Sequence, residues 1–246
     1  MSRIPFLLLV AFHLVSCSHI ARAEVSNALS FGTFTSDERH SPNLLTAPHG
    51  GFDLGTEVLT RDTARNLGWD SVIAVGFRQR SHPINVNRPT EGIGLAAAVE
   101  AHTDGAKLVY DAFHEKVFKD FEHGGPEFYV EIHGEGRAEL QGTIEIATVG
   151  VSPEQAGKIA AIFRAELKAL ALPTNYRVAI EGQDKIFFMA SASKKIGILS
   201  EVHRALHIEL PRKLRTEDPS STIQLLTHAL PRIADLLESP HLDASH

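Results

Sequence analysis

Apolar runs of strand length alternate along this chain with segments that have the periodicity of a helix. The strand-length runs are Asn43–Ala47, Ser71–Phe77, Phe128–His133, Thr143–Thr148, Tyr176–Ile180 and Ala205–Leu210. Such alternation is typical of α/β proteins, because each helix returns the chain across the sheet and the next strand then runs parallel to the last. We therefore expect a three-layer αβα fold around a mostly parallel, mixed sheet.

Helix end signals place three of the helices more closely. Thr56–Leu67 is helical in pattern, and Gly68 follows it at a position where glycine commonly ends a helix. Ser152–Gln155 has the sequence Ser-Pro-Glu-Gln, which is a helix start with serine as the N-cap, proline in the first position and glutamine completing a capping box. The last helix is predicted from about Ser221 to Leu237, and Pro231 should kink it or split it in two.

The N-terminus has the pattern of an export signal. Arg3 precedes the apolar run Ile4–Val15, which is shorter than the roughly 20 residues that a bilayer-spanning helix needs. Two endings of the signal compete: Ala21–Ala23 has the Ala-x-Ala form of an ordinary cleavage site, whereas Leu14–Cys17 resembles a bacterial lipoprotein box. Either ending predicts a protein that is exported to the periplasm or secreted, and the second would leave a lipid anchor on Cys17.

We divide the chain into a signal peptide at 1–23, a loose leader at 24–42 and a single domain at 43–240, because no internal repeat or low-complexity tract interrupts it. A chain of 246 residues can bury a core without disulfide help. Cys17 is the only cysteine, and cleavage after Ala23 would remove it. An exported protein without thiols has neither a disulfide framework nor a cysteine nucleophile, so any metal site must use His, Asp and Glu.

The charge balance excludes one class of partner. The 24 basic and 30 acidic side chains give a net charge of −6, and no block of five or more basic residues occurs. Binding to the phosphate backbone of a nucleic acid is therefore not expected as the primary role. The sequence leaves the oligomeric state open.

Polar side chains follow several of the predicted strands, which is where ligand sites lie in parallel α/β sheets. The first group is His49 and Asp53, which are four positions apart on the glycine-bearing loop after the Asn43–Ala47 strand. Glycines allow the backbone to fold back so that both side chains point to one spot, and such ligands suit zinc. In the alternative interpretation, the loop is an ordinary turn and Asp53 caps the helix that follows.

The second group surrounds His133, which ends the Phe128–His133 strand. A histidine at the carboxyl end of a strand is placed as a third metal ligand would be. Glu131 and Glu135 are near enough in the sequence to orient its ring. A hydrogen-bonded histidine at the rim of the sheet is an equally good interpretation of His133 taken alone.

The third group is Glu209, a lone carboxylate inside the otherwise apolar strand Ala205–Leu210. Burial of an unpaired carboxylate is costly, so we expect it to have a partner or a raised pKa, and either would suit a general base beside a metal site. Alternatively, Glu209 pairs with Arg212 or Arg215 just downstream. The sequence assigns no role to His207.

Asn87 and Arg88 precede Pro89 in a loop after the Ser71–Phe77 strand. An arginine that is held by a following proline and lies beside an amide can bind a carboxylate through two hydrogen bonds or stabilise an oxyanion. A solvated surface arginine is the alternative.

Taken in this order, these segments resemble the N-formylglutamate amidohydrolase superfamily and its poly-γ-glutamate hydrolase relatives, which are zinc enzymes with a carboxypeptidase-like fold. Pro48–Asp53 is similar to the segment that carries the first two zinc ligands, and Glu131–His133 is similar to the strand that carries the third. Asn85–Arg88 resembles a segment whose Asn-Arg pair grips the substrate carboxylate. Thr143–Thr148 and His207–Leu210 resemble two further strands, of which the second supplies the catalytic glutamate.

This resemblance covers approximately residues 44–215 and implies a zinc carboxypeptidase-like catalytic domain that holds one Zn²⁺ per chain. The implied zinc ligands are His49, Asp53 and His133, and the implied catalytic glutamate is Glu209. The implied substrate-binding pair is Asn87 with Arg88. The arginine of that pair would also act in catalysis by sharing the charge of the developing oxyanion. Zinc carboxypeptidases use His-x-x-Glu where this chain has His-x-x-x-Asp, so the two loops differ.

The function that the resemblance implies is zinc-dependent hydrolysis of an amide bond. The substrate would be an N-acyl amino acid similar to N-formylglutamate, or a γ-glutamyl or peptide compound, and it would bear a carboxylate. The alternative is a non-catalytic relative that only binds a metal or an acidic ligand. A metal-independent serine hydrolase is disfavoured because no Gly-x-Ser-x-Gly segment occurs in the chain.

Overall fold

A computed structural model describes residues 30–119, 121, 124–172 and 176–238. The expected signal peptide, its two alternative endings and Cys17 lie outside these residues. No helix within the described ranges is long and apolar enough to cross a membrane.

The described elements follow the predicted alternation of strands and helices. The strands are β1 (Thr33–Asp37), β2 (Asn43–Gly50), β3 (Asp70–Val75), β4 (Arg78–Gln79), β5 (His82–Asn85), β6 (Thr90–Glu91), β7 (Phe128–Gly134), β8 (Thr143–Val149), β9 (Arg177–Ile180) and β10 (Ala205–Leu210). The α-helices are α1 (Thr56–Leu67), α2 (Asp104–Phe118), α3 (Pro153–Ala169), α4 (Ser191–Ile196), α5 (Arg212–Thr216) and α6 (Pro219–Glu238). Short 3₁₀ helices lie at Ala97–Val99, Ala138–Leu140 and Ile198–Ser200. Every strand that was expected from an apolar run is present, so those predictions are confirmed.

One large sheet has the strand order β1-β3-β2-β7-β10-β8-β9. Strands β3, β2, β7 and β10 are mutually parallel, whereas β1, β8 and β9 run in the opposite direction. Strands β4, β5 and β6 form a small antiparallel sheet of their own. The four parallel strands therefore bring their carboxyl ends to one edge of the large sheet.

Helices cover both faces of the sheet, because alternate side chains of its strands are apolar on both sides. Leu45 and Ile132 belong to a core that includes α1, α3 and α6, whereas Leu44 and Tyr129 belong to a second core that includes α2. The sheet is thus the middle of three layers. The predicted fold class, a three-layer α/β fold with a mostly parallel, mixed sheet, is confirmed.

The end signals of two helices are confirmed in detail. α1 has the predicted limits and ends at Gly68, whose φ of 67° is in the left-handed region that favours glycine. At the start of α3, the Ser152 hydroxyl accepts a hydrogen bond from the Gln155 N–H at 3.2 Å. The Gln155 side chain accepts one from the Ser152 N–H at 3.0 Å, which completes the capping box.

The last helix, α6, continues through Pro231, and the split that proline can cause does not occur. Leu230 and Ile233, on either side of the proline, are completely buried. Burying each of these side chains contributes roughly 1.5–3 kcal/mol, and an internal proline costs about 3 kcal/mol. Packing on both sides of Pro231 therefore offsets the hydrogen bond that the proline removes.

The segment before the domain departs from its prediction. Residues 24–42 were expected to form a loose leader, but Thr33–Asp37 form strand β1, which pairs antiparallel with β3. Phe34 stacks on Phe77 with their ring centroids 4.5 Å apart. The strand is polar and short in the sequence, so its order depends on the ladder with β3 and on this ring contact rather than on its own composition.

Candidate metal centre

The predicted site residues lie at the carboxyl edge of the parallel strands. His49 is near the end of β2, His133 near the end of β7 and Glu209 near the end of β10. In the ladder between β7 and β10, His133 is paired with Glu209, and Glu131 is paired with His207. Because alternate residues of a strand share a face, the polar side chains of β7 and β10 lie beside one another on the same side of the sheet.

The loop after β2 brings Asp53 back to His49. The pairing of β2 with β3 shifts between Ala47 and Gly50, and such an irregularity re-aims the side chains beside it. The backbone N–H of Asp53 donates to the carbonyl of His49 at 2.8 Å. Gly51 has a φ of 81°, which allows the chain to make this tight turn.

The carboxylate of Asp53 does not cap helix α1. The N-cap of this helix is Gly55, and no side-chain hydrogen bond caps it. The backbone carbonyl of Asp53 accepts hydrogen bonds from the N–H and the hydroxyl of Thr56 at 3.1 and 2.8 Å. The buried carboxylate instead contacts His49 and His133.

Three donor atoms of these side chains converge. His49 Nδ1 lies 3.4 Å from Asp53 Oδ2, His133 Nδ1 lies 3.5 Å from the same oxygen, and the two nitrogens are 3.2 Å apart. Ligands that bind one zinc ion tetrahedrally at about 2.0–2.1 Å are separated from one another by about 3.3–3.4 Å. The cluster thus has the spacing and donor types of a zinc site with three protein ligands, and it fits such an ion.

The electrostatics of the cluster also suit a cation. Burial and the nearby Arg78 lower the pKa of His49 to about 3, so its ring is neutral and can offer a lone pair. Burial would raise the pKa of Asp53, but hydrogen bonds to His133 and His49 hold it below its ordinary value. Burial would lower the pKa of His133, but Asp53 and Glu131 raise it to about 10. A proton on His133 therefore balances the carboxylates, and a metal ion that bound here would displace it.

Glu131 is the centre of a second buried cluster. Its carboxylate accepts hydrogen bonds from the Tyr129 hydroxyl at 3.0 Å and the Asn87 amide at 3.1 Å, and it lies 3.2 Å from His133 Nε2 and 2.9 Å from His207 Nδ1. Burial would raise the pKa of Glu131, but the contacts with the two histidines hold it well below its ordinary value. Glu131, His133 and His207 also have a metal-binding spacing. Because these donors already occupy the Glu131 oxygens, we assign Glu131 to orienting the His133 ring rather than to a second metal.

His207 connects this cluster to Glu209. Its Nδ1 contacts Glu131, and its Nε2 lies 3.1 Å from Glu209 Oε1. The carboxylate of Glu209 therefore has a histidine as its partner, and no ion pair with a downstream arginine occurs among the described residues. This contact was not predictable from the sequence, which only placed the two residues on one face of a strand.

Glu135, the other acid expected to support His133, has a different position. It is buried, and one of its carboxylate oxygens accepts a hydrogen bond from the N–H of Arg137. The second oxygen has no hydrogen-bond partner in the described part of the chain, and burial raises the pKa of this group. Of the two acids, Glu131 is the one that contacts the ring.

Asn87 and Arg88, the predicted substrate-binding pair, are bonded within the protein. The Asn87 amide donates to Glu131, as described above. The Arg88 guanidinium donates to both carboxylate oxygens of Glu100, at 2.8 and 2.5 Å, and to the Asn87 side-chain oxygen at 3.3 Å. A substrate carboxylate would have to compete with Glu100 for Arg88. The substrate-binding role of the pair stays a prediction.

Arg78 is a functional candidate that the sequence did not single out. Its Nη1 lies 3.2 Å from His49 Nε2 and donates to Asn85 Oδ1. The side chain is partly exposed, and its buried Nε has no hydrogen-bond partner within the described residues. Arg78 directly follows the Ser71–Phe77 run, so the rule that sites follow strands could have indicated it, but nothing in the sequence showed that its side chain turns toward His49.

Comparison with known proteins shows the fold. No protein-family model and no curated protein matches the sequence. The gene product Atu2144 from Agrobacterium tumefaciens has a similar structure, with a TM-score of 0.54 and 13% identity over 84% of this chain and 96% of that chain. A bacteriophage poly-γ-glutamate hydrolase has a TM-score of 0.48 and 10% identity over 83% of this chain and 90% of its own. A zinc-free form of YndL has a TM-score of 0.49 and 14% identity over 84% and 90% of the two chains.

Proposed function

We propose that this protein is a metal-dependent hydrolase, with one Zn²⁺ per chain, that cleaves an amide bond in a small substrate bearing a carboxylate. The substrate class is an N-acyl amino acid similar to N-formylglutamate, or a γ-glutamyl or peptide compound. The observation that carries the proposal is the convergence of His49, Asp53 and His133 at separations of 3.2–3.5 Å, with Glu209 paired beside His133 in the sheet. A site of this composition leaves one coordination position open.

The reaction that we propose divides the chemistry between the cation and the protein. A Zn²⁺ ion held by these three side chains supplies Lewis-acid chemistry, in that it lowers the pKa of water and polarises a carbonyl group. Glu209 accepts a proton from water as the water oxygen attacks the amide carbon, and it then returns this proton to the nitrogen as the carbon–nitrogen bond breaks. His207 fixes the orientation of the Glu209 carboxylate through the contact at 3.1 Å.

Two arginines would recognise the negative charges of the substrate. Arg78 is adjacent to His49 and partly exposed, so its guanidinium is suited to bind the carboxylate or the oxygen on which charge develops. Arg88, with Asn87, would bind the substrate carboxylate if the ligand displaced part of its contact with Glu100. Both assignments call for an anionic ligand. Such a ligand can bind although the net charge of the chain is negative, because the local field of a cleft outweighs the net charge.

The proposal is tested by metal content and by turnover on a substrate panel. We expect purified protein to contain one zinc ion per chain and to hydrolyse at least one N-formyl or N-acyl amino acid or γ-glutamyl peptide. A chelator should abolish turnover, and added Zn²⁺ should restore it. Protein that contains zinc but hydrolyses no member of the panel would support the alternative, a relative that only binds a metal or an acidic ligand. Protein that binds no metal would overturn the proposed metal-dependent hydrolase.

We also propose that the chain is exported, on the basis of its N-terminal pattern. Mass spectrometry of the full chain expressed in a bacterium distinguishes the two endings. An N-terminus at Glu24 would indicate ordinary cleavage, whereas a lipidated Cys17 would indicate an anchored lipoprotein.

A further inference from the structure

Arg215 lies in the short helix α5, directly after the site strand β10, and only 5% of its surface is exposed. Its guanidinium donates to three backbone carbonyl groups. Nε binds Leu210 at 3.0 Å, Nη2 binds Glu135 at 3.3 Å, and Nη1 binds Leu54. All three acceptors are neutral, and within the described ranges no ion pair neutralises this arginine. Its place in the structure is therefore set by hydrogen bonds to the backbone.

The three acceptors belong to the three segments that carry the candidate site. Each acceptor residue lies one or two positions after a site residue. Leu54 follows Asp53, Glu135 follows His133, and Leu210 follows Glu209. The planar fork of a guanidinium fixes the directions of the atoms that it binds. A single side chain thus forms hydrogen bonds with the loop after β2, the end of β7 and the end of β10.

Two glycines, Gly134 and Gly55, leave the space that Arg215 occupies. A Cβ at Gly134 would lie 2.5 Å from the guanidinium carbon of Arg215. Gly55 has a φ of 90°, and a Cβ there would lie 2.5 Å from the backbone oxygen of Arg215. A side chain at either position would have to displace the arginine or its helix.

The charge of Arg215 also acts on the site. Burial lowers the pKa of the guanidinium, while the negative charges of Asp53 and Glu209 raise it. An arginine remains protonated in such surroundings. Its positive charge therefore attracts the carboxylates of Asp53 and Glu209, since its own hydrogen bonds are made to neutral carbonyl groups.

We propose that Arg215 is a positioning residue, which holds Asp53, His133 and Glu209 at the spacing that metal binding and proton transfer require. Its effect on turnover rests on the proposed function, whereas its effect on the three segments does not. Lysine would keep the charge, but its single ammonium group cannot bind three carbonyls in the geometry of a planar fork.

The test compares Arg215→Lys with Arg212→Lys, because Arg212 is an exposed residue of the same helix. We expect Arg215→Lys to weaken Zn²⁺ binding, measured by competition with a chelator, and to lower kcat, each by about 10–100-fold, with a smaller change in KM. Arg212→Lys should leave all three values within about twofold of the wild type, since its side chain is exposed. A folded Arg215→Lys protein that kept zinc affinity and kcat within the same range would overturn the proposal, even if its thermal stability fell.

Gly134→Ala provides a second variant that keeps the arginine but pushes its guanidinium aside. Backbone hydrogen exchange should increase together in the segments around Leu54, Glu135 and Leu210 in this variant and in Arg215→Lys. Unchanged exchange in these segments would contradict the proposal without reference to metal or turnover. If the wild type bound zinc but hydrolysed no substrate, the proposed function would fail, while zinc affinity and hydrogen exchange would still decide the role of Arg215.

Discussion

Two buried clusters of charged groups near the carboxyl edge of the sheet differ in how they are balanced. In the first, the Glu100 carboxylate receives two hydrogen bonds from the Arg88 guanidinium and one from the Thr90 hydroxyl at 2.8 Å. In the second, Asp53 Oδ2 is shared between two imidazole nitrogens, which themselves lie 3.2 Å apart. The first cluster is balanced by a permanent cation, the Arg88 guanidinium. The second is balanced by a proton on His133 that a metal ion could displace, and its donor atoms face a common centre.

The difference teaches how to separate a buried carboxylate that is already paired from a buried carboxylate that is free to bind a metal. A carboxylate that is fully satisfied by an arginine offers little to a metal, because every hydrogen bond is already made. Imidazole nitrogens that face each other across a carboxylate oxygen need a shared proton or a cation to balance them. Changes on the two sides of this comparison should therefore affect different measurements.

Removing a metal ligand should have the largest effect. We expect Asp53→Asn to weaken Zn²⁺ binding by more than the roughly 10–100-fold that loss of a supporting residue causes, and to abolish turnover at ordinary zinc concentrations. Metal content by mass spectrometry and turnover with excess Zn²⁺ would measure both effects. Asp111→Asn, which alters an exposed acid on α2, is the matched control. Full zinc content in Asp53→Asn would remove Asp53 from the ligand set.

Removing the base should affect turnover alone. We expect Glu209→Gln to lower kcat by about 10²–10⁴-fold while zinc content stays the same, because glutamine cannot accept the proton but retains the size of the side chain. Kinetics and metal analysis on one preparation would separate the two effects. Unchanged kcat in Glu209→Gln would show that another group takes the proton.

Breaking the link between the two carboxylates should have an intermediate effect. We expect His207→Gln to lower kcat by about 10–100-fold, because both Glu131 and Glu209 lose a hydrogen-bond partner. His114→Gln is the control, since His114 contacts the carboxylate of Glu201 at 2.9 Å on the surface. Equal kinetics in the two variants would show that His207 does not orient the base.

Changing the balanced cluster should alter stability more than chemistry. We expect Glu100→Gln to lower the free energy of unfolding by roughly 1–3 kcal/mol at pH 7, because the half-buried Arg88 loses its charged partner. Urea denaturation measures the effect, and Glu115→Gln on an exposed face of α2 is the control. An equal loss of stability in both variants would show that the ion pair contributes little.

The same pair has a pH dependence of definite sign. Burial would raise the pKa of Glu100, but hydrogen bonds from Arg88 and Thr90 hold it below its ordinary value of 4.5. A depressed pKa means that the stabilisation is complete above about pH 4.5 and is lost as the pH falls through the value in the folded protein. The stability difference between the wild type and Glu100→Gln should therefore shrink below that pH.

The fold could be predicted to a large extent because its signals are local. Apolar periodicity located six of the seven strands of the large sheet, and the Ser152–Gln155 segment marked the start of α3. Strand β1 was missed because Phe34 is the one apolar residue among its five, so it lacks the apolar run that marked the other strands. Pro231 was expected to kink or split α6 because proline removes a helical hydrogen bond, and the split does not occur because the neighbouring residues are buried in the core.

Candidate site residues could be named from the sequence, but their partners could not. The rule that ligand sites follow parallel strands, together with the family resemblance, predicted His49, Asp53, His133 and Glu209 as site residues. Whether the ring nitrogens met within 3.2 Å depended on the register between strands and on the turn after β2. Arg78, in strand β4, contacts His49 at the same edge, but the sequence does not show where its side chain points.

What the sequence determined by itself was the order of the strands and helices along the chain and the residue types available for metal chemistry. Tertiary structure alone decided that Arg88 faces Glu100, that His207 joins two carboxylates and that Arg215 binds three separate segments. The physical reason is the range of the interactions. Periodicity and capping act within a few residues, whereas hydrogen bonds between distant segments form only after the sheet has set the register of its strands.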